Sequence, residues 1–278
     1  VFPNMGAAAQ VLASIDLPSD PLRARKVLEG RVSAEVALAA VELADLRRRA
    51  TPKFPEPGRM LLTRKGLEQA THLLVASWRA AEIQRLAPGS TVWDQTAGLG
   101  ADALALARAG LAIEVSELDP LHAACCEANL AALGFEVHVR VGDSRRQEVT
   151  ADLILLDPDR RADSGTSARG AQGGGRRRLD PSSFSPPVED WRAAIDAHAG
   201  AVVKLPPGLD PAELVAPLGL TDLPHRWTWT EAGNSLRELT LWTGSLAPAG
   251  EPGRAAVRLF DSPATAPGGP CAPGPGVR

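Results

Sequence analysis

After Pro88-Gly89 the chain becomes a regular alternation of short apolar or β-branched runs with Ala- and Leu-rich stretches. No other feature constrains the fold so tightly. Such a strand–helix–strand repeat with short connections leads to a mostly parallel sheet covered by helices on both faces. The runs Thr91-Val92-Trp93, Ala112-Ile113-Glu114-Val115, 137–141, 152–156 and 201–204 read as strands, and 101–109, 120–133, 188–198 and 211–217 read as helices. The stretch 226–243 differs. Trp227, Trp229, Leu239, Leu241 and Trp242 fall in two strand-like runs around Ala232-Gly233-Asn234-Ser235, the pattern of an antiparallel hairpin. The expectation is an α/β fold whose seven-stranded, mostly parallel sheet ends in an antiparallel C-terminal hairpin.

Upstream the pattern is helical. Ser33 is placed as an N-cap for Ala34 to Leu46, and the arginines at 47–49 suit the negative end of that helix. A second helix is expected after Thr63, where Leu67, Ala70, Leu74, Trp78 and Ala81 recur at helical spacing. The prolines of 51–58 mark a connector. Residues 1–86 are thus expected to form an N-terminal helical module and 87–244 the α/β domain. Residues 245–278, dominated by Pro and Gly, are expected to be a largely disordered tail.

Composition narrows the class further. With 44% hydrophobic and 23% charged residues, a mean hydropathy of −0.08 and no long apolar run, the chain reads as a soluble globular protein. Val1 to Met5 lacks a secretory pattern, so a cytoplasmic location without a membrane partner is expected. Cys125 and Cys126 are adjacent and Cys271 stands alone; with five scattered histidines they suggest neither a disulfide framework nor a metal site. The net charge of −3 conceals an asymmetry: 87–157 carries 11 acidic and 4 basic groups, 1–86 carries 9 acidic and 13 basic, and 160–178 holds six arginines and one aspartate. An acidic centre suits a cationic ligand, and basic flanks suit a polyanion. Solvated surface accounts for either feature alone.

Open α/β sheets bind ligands beyond the carboxyl ends of their strands. Four such ends carry acids here. Asp94 follows the first strand and leads through Gln95-Thr96-Ala97 to Gly98-Leu99-Gly100, where a backbone free of Cβ allows close approach. Glu117 lies 19 residues beyond Gly98, where a carboxylate accepts bonds from ribose hydroxyls. Gly142-Asp143 follows the third strand and Asp157-Pro158-Asp159-Arg160 the fourth. Each acid alone also reads as a turn or cap residue, Asp119 being the better N-cap of the helix after Glu117. A nicotinamide or flavin enzyme is the competing reading of Gly98-Leu99-Gly100-Ala101-Asp102-Ala103. Against it stand the four residues between the first strand and Gly98, the acids at 143 and 157, and the terminal hairpin.

Asp94 to Ala103 resembles the first motif of nucleic-acid amino-methyltransferases of the trimethylguanosine-synthase and ribosomal-RNA guanine-N2 type. More specifically, the chain is similar to class I S-adenosylmethionine-dependent methyltransferases of the bacterial family with a THUMP-like domain. The similarity is carried by Lys53-Phe54, Arg59 to Thr71, Asp157 to Arg161, Gly175-Arg176-Arg177, Phe184-Ser185-Pro186-Pro187, Lys204 to Gly208 and Asn234 to Glu238. The resemblance implies a Rossmann-like methyltransferase fold with S-adenosylmethionine held by Asp94, Thr96, Gly98, Gly100, Glu117 and Asp143. It implies Asp157, Pro158 and Arg160 as catalytic positions, matching an Asp-Pro-Pro-aromatic motif that seats a target amino group. Arg160 stands where that motif has its aromatic residue, so Arg160 or Phe184 is the candidate to stack on a base; an Asp159–Arg160 ion pair is the alternative. Arg176, Arg177, Phe184 and Lys204 are the candidate substrate contacts, RNA the expected partner, and no metal is expected. The family's THUMP-like segment is not expected in the 34 residues after Gly244. A methyltransferase of protein or small molecules, or a non-catalytic relic, are the other readings, and the oligomeric state stays open.

Overall fold

The computed structural model describes residues 2–160, 184–249 and 253–260. The lead-in is helical throughout: α1 (Phe2–Ser14), α2 (Pro21–Leu28), α3 (Ala34–Arg49), α4 (Arg64–Gln69) and α5 (Leu73–Leu86). Ser33 caps α3 by accepting from the Val36 amide at 3.3 Å, as the sequence suggests. The single helix expected after Thr63 is two. Thr63 caps α4 by accepting from the Gly66 amide, the chain breaks at Ala70-Thr71-His72, and the His72 ring accepts from the Leu74 amide to start α5. Close packing explains the break. A Cβ on Gly66 would stand 2.6 Å from Leu99 Cγ, so α4 is pressed onto the glycine turn, while Thr71 turns inward to bond Asp102 at 2.6 Å.

From Thr91 the α/β pattern runs β1 (Thr91–Asp94), α6 (Ala101–Arg108), β2 (Ala112–Glu117), α7 (Pro120–Ala132), β3 (Val139–Val141) and β4 (Leu153–Leu156). It continues with the short strands β5 (Asp159–Arg160) and β6 (Phe184–Ser185), then α8 (Val188–Asp196), β7 (Gly200–Leu205), α9 (Ala212–Val215), β8 (His225–Ala232), β9 (Ser235–Gly244) and β10 (Arg254–Leu259). The main sheet has the order β10-β8-β9-β7-β4-β1-β2-β3. Its β3-β2-β1-β4-β7 half is parallel, β9 runs antiparallel between β7 and β8, and β5 pairs with β6 in a separate ribbon. Every residue of β4 and β7 is buried, which fits strands covered on both faces.

The sheet therefore has eight strands where seven are expected. The eighth, β10, lies parallel to β8 and comes from the segment read as Pro/Gly-rich tail. Val257 and Leu259 point inward from it onto a core shared with Trp78 and Trp242, and this alternate burial supplies a reason for order that flanking Pro and Gly obscure. The helical lead-in shares its core with the sheet half: Leu43, Leu46, Phe54, Met60 and Leu67 cluster with Leu99, Ala101 and Cys125. Asn129 of α7 ties the two together, accepting from the Leu61 amide at 2.6 Å and donating to the carbonyls of Leu61 and Leu99. Among the described residues no helix is long and apolar enough to cross a membrane.

Candidate active site

The carboxyl ends of β1, β2, β4 and β7 meet the glycine turn and the α4–α5 break. Gly98 (φ 57°) and Gly100 (φ 91°) both adopt the left-handed conformation that favours glycine. A Cβ on Gly100 would lie 2.9 Å from Cys126 Sγ, whereas the space above Gly98 is open. Glu117 holds the turn. Its Oε2 accepts from the Gly98 amide at 2.7 Å and its Oε1 from the Asp119 amide at 2.8 Å, while Asp119 itself caps α7. Each carboxylate oxygen keeps a further lone pair for an incoming hydroxyl.

Asp94 is 1% exposed; Oδ1 accepts from the Thr96 amide at 3.2 Å and Oδ2 has no partner. Burial, reinforced by the nearby Asp102 carboxylate, pushes its pKa up to about 8. Thr96 then joins two strand ends, its Oγ1 accepting from the Asp157 amide at 2.8 Å. On the β3 side, Asp143 accepts from the Arg145 amide and guanidinium, and those bonds hold its carboxyl below the usual range. Beyond it, on the α8 face, opens a cavity of about 700 Å³ lined by Trp93, Gln95, Ser144, Arg145, Asp190 and Trp191.

Behind Asp157 lies a buried ionic cluster. Arg79 of α5 bonds Asp102 of α6 and Glu238 of β9, and Lys204 of β7 bonds Asp102 (2.9 Å), the Thr71 hydroxyl (2.6 Å) and Asp157 Oδ2. Three carboxylates thus surround two cations. Burial works against the charge on Asp102, yet Arg79 and Lys204 outweigh it and bring its pKa down to about 2. Burial also works against the Lys204 ammonium, which Asp102 and Asp157 hold above the usual lysine range. Asp157 stays raised because its desolvation exceeds the pull of Lys204. Its side chain is 40% exposed, so this acid faces the mouth of the site.

The structure brings together Asp94, Thr96, Gly98, Gly100, Glu117 and Asp157, with Pro158 buried beside them and Asp143 at the far side. Two candidate contacts are corrected. Lys204 is 6% exposed and fully engaged with acids and Thr71, so it belongs to the buried cluster and not to a substrate surface. Phe184 is wholly buried, packed edge-on against Trp191 at 5.2 Å, because β6 delivers its ring to the α8 core; it is not free to stack on a base. Asp159 receives both bonds of the Gln69 amide at 3.0 Å. The Arg160 side chain, Arg176 and Arg177 lie outside the described residues. Arg47 donates to the Met60 carbonyl, while Arg48 and Arg49 are exposed and pair with Asp45 on the same helix.

Sequence reasoning missed Thr71, Arg79 and Glu238 as site residues. Arg79 had a signal, a cation next to Trp78 within the apolar stretch 73–81; Thr71 and Glu238 end two of the strings that carried the family resemblance.

No family model matches the chain. Two curated proteins of Mycobacterium tuberculosis, from strains CDC 1551 and H37Rv, are each 32% identical to it over 225 residues, 78% of this chain. Both are described as uncharacterized S-adenosylmethionine-dependent methyltransferases, and the chain spans 57% of their length. The crystal structure of a protein from Porphyromonas gingivalis W83, described as a methyltransferase, superimposes with a TM-score of 0.64 at 18% identity, covering 100% of this chain and 65% of that one. The fold is that of the class I methyltransferases. It accounts for the parallel half, the antiparallel β9 and the glycine turn after β1; β10 is an addition at the outer edge.

Proposed function

We propose that this chain is an S-adenosylmethionine-dependent methyltransferase that methylates a nitrogen of a nucleobase in RNA. One observation carries the reading: the Asp157 backbone amide is tied to Thr96 at the start of the glycine turn, and its half-exposed carboxylate is held by Lys204. This geometry would set an acceptor for a target N–H directly beside the cofactor turn. The relatives' description supports the cofactor, and the match of Asp157-Pro158 to an amine-seating motif supports the target.

The residues present fit the cofactor. Asp94 leaves a buried oxygen without a partner at the turn, Gly98 leaves its backbone uncovered, and Glu117 keeps lone pairs for ribose hydroxyls. Asp94, Thr96, Gly98 and Gly100 would line the methionine and ribose side, with Glu117 at the ribose and Asp143 at the adenine. When bound, S-adenosylmethionine supplies a methyl group on a positively charged sulfur. The chain's own task is then positional, because methyl transfer needs an in-line lone pair more than acid–base chemistry. Asp157 accepts one N–H of the target amine, turning the nitrogen lone pair toward the turn, and takes up the proton that the alkylated nitrogen releases.

The test is calorimetric titration with S-adenosylmethionine, S-adenosylhomocysteine and NAD, followed by tritiated-methyl transfer to total RNA. Binding of the two adenosyl ligands with label entering RNA is expected. Asp157→Ala should keep that binding and lower transfer by about 100-fold or more. Label in protein or small molecules alone would replace RNA as the substrate, and binding of NAD alone would overturn the reading.

A further inference from the structure

Lys204 has a geometry that a purely structural ion pair does not need. Its ammonium has three donors, and the structure spends them on three different elements: the Thr71 hydroxyl at the α4–α5 break, Asp102 Oδ2 on α6, and Asp157 Oδ2 after β4. Asp102 is in turn fixed by Arg79 and by Thr71, and Arg79 by Glu238, itself bonded by the Thr240 hydroxyl at 2.9 Å. The ammonium therefore has little freedom to move. Of the two carboxylates it touches, Asp157 is the one that reaches toward solvent.

We infer that Lys204 is a positioning residue, which, anchored by Thr71 and Asp102, grips one oxygen of Asp157 and leaves the other turned to the incoming substrate. The inference rests on the reading of Asp157 as the seat of the target amine. It also gives the helical lead-in a part in the reaction, since Thr71 and Arg79 both come from it.

Charge follows from this geometry. Asp157 meets Asp102 from α6 and Glu238 from β9, which disfavour its ionisation, and Arg79 from α5 and Lys204 from β7, which favour it; Asp94 from β1, itself pushed up to about 8, is uncharged at neutral pH. Lys204 is the cation in direct contact. Without it the Asp102 and Glu238 carboxylates and burial act on Asp157 with Arg79 alone opposing them, and the carboxyl holds its proton to higher pH. A protonated Asp157 has lost the free carboxylate that takes the amine's proton. Substituting Lys204 should therefore move the acid limb of the pH–rate profile upward, which loss of packing alone would not do.

The experiment compares the full chain with Lys204→Met, Lys204→Arg and Thr71→Val. The Asp157 carboxyl is followed by carbon-13 NMR in the absence of ligand and assigned by its loss in Asp157→Asn. Alongside it run calorimetry with S-adenosylmethionine and the pH dependence of methyl transfer to RNA. In Lys204→Met the Asp157 titration and the acid limb should both rise by about 1 to 3 pH units, the range for loss of an adjacent opposite charge. The turnover should fall about 100-fold with cofactor affinity retained, and Lys204→Arg should restore part of both. Thr71→Val, which frees one anchor, should move the titration the same way by less, and it serves as the reading if Lys204→Met does not fold. An unmoved Asp157 titration in the folded variants overturns the inference, as does a full turnover in Lys204→Met. A moved titration in a chain that transfers no methyl to RNA leaves Lys204 in its role and removes the RNA reading instead.

Discussion

Asp94 shows how far burial governs chemistry at a single residue. With one oxygen bonded to Thr96, the other unpartnered and Asp102 nearby, its carboxyl is pushed up to about 8 and is protonated at neutral pH. The unfolded chain gives up that proton near pH 4. Between about 4 and about 8 the folded state therefore binds more protons than the unfolded one, so this residue's contribution to stability is present below that window and is lost as pH rises through it. Melting temperatures measured from pH 4 to 8 should show that decline. Asp94→Asn, which keeps the oxygen facing Thr96, should flatten it, and an identical slope in both proteins would place the titration elsewhere. Glu117 works differently, holding the Gly98 and Asp119 amides at once. Glu117→Ala should weaken S-adenosylmethionine binding by at least about tenfold in calorimetry, and orphaning the two amides should lower stability by about 1–3 kcal/mol. These acids were legible in the sequence because strand ends in an open sheet are where ligands bind. Lys204 was read as a substrate contact, because a lysine at the end of a strand reads the same whether its ammonium faces solvent or buried partners.

At the level of elements, the glycine turn is shaped by two independent demands on Gly100. The residue sits at φ 91° as the N-cap of α6, and any Cβ there meets Cys126 Sγ of α7 at 2.9 Å. Gly100→Ala should cost about 1–3 kcal/mol in chemical denaturation, since both left-handed strain and overpacking act. Adding Cys126→Ala should recover the packing part and leave the strain, so a double substitution as unstable as the single one would put the whole effect in the backbone. Helices and strands with a clear period came out of the sequence within a few residues of their observed ends, as α6 and α7 show. The helices α1 and α2, the β5–β6 ribbon, the break at Thr71 and the strand β10 did not. The apolar stripe from Leu67 to Ala81 runs through the break at Thr71, because periodicity records which face is buried and not the contact with Asp102 that bends the chain. β10 was hidden because a six-residue edge strand carries little signal of its own and depends on Trp78 and Trp242 for a surface to cover.

Over the whole molecule, the lead-in and the α/β part share both an apolar core and a buried charge cluster. Leu99, Ala101 and Cys125 pack with the helices of the lead-in, and Arg79 joins α5 to α6 and β9 through Asp102 and Glu238. The sequence suggested a module and a domain because the pattern changes at Pro88-Gly89, but a change of pattern does not disclose contacts made across it. Such a shared core argues that the two parts unfold together. Removing one partner of a buried ion pair is far more damaging than replacing the whole set, because it strands uncompensated charge. Arg79→Met leaves Glu238 without its cation and Asp102 with Lys204 alone, and should destabilise the protein by about 3–5 kcal/mol. Replacing Arg79, Asp102 and Glu238 together by apolar residues of similar size should recover part of that loss in stability, though not methyl transfer, since Lys204 would lose an anchor. Denaturation followed by tryptophan fluorescence and by far-ultraviolet circular dichroism should give coincident transitions in the parent protein and in Arg79→Met. An early helical transition in either would mean that the lead-in opens on its own, and that the ionic cluster fastens a separable cap onto the site instead of completing a single folding unit.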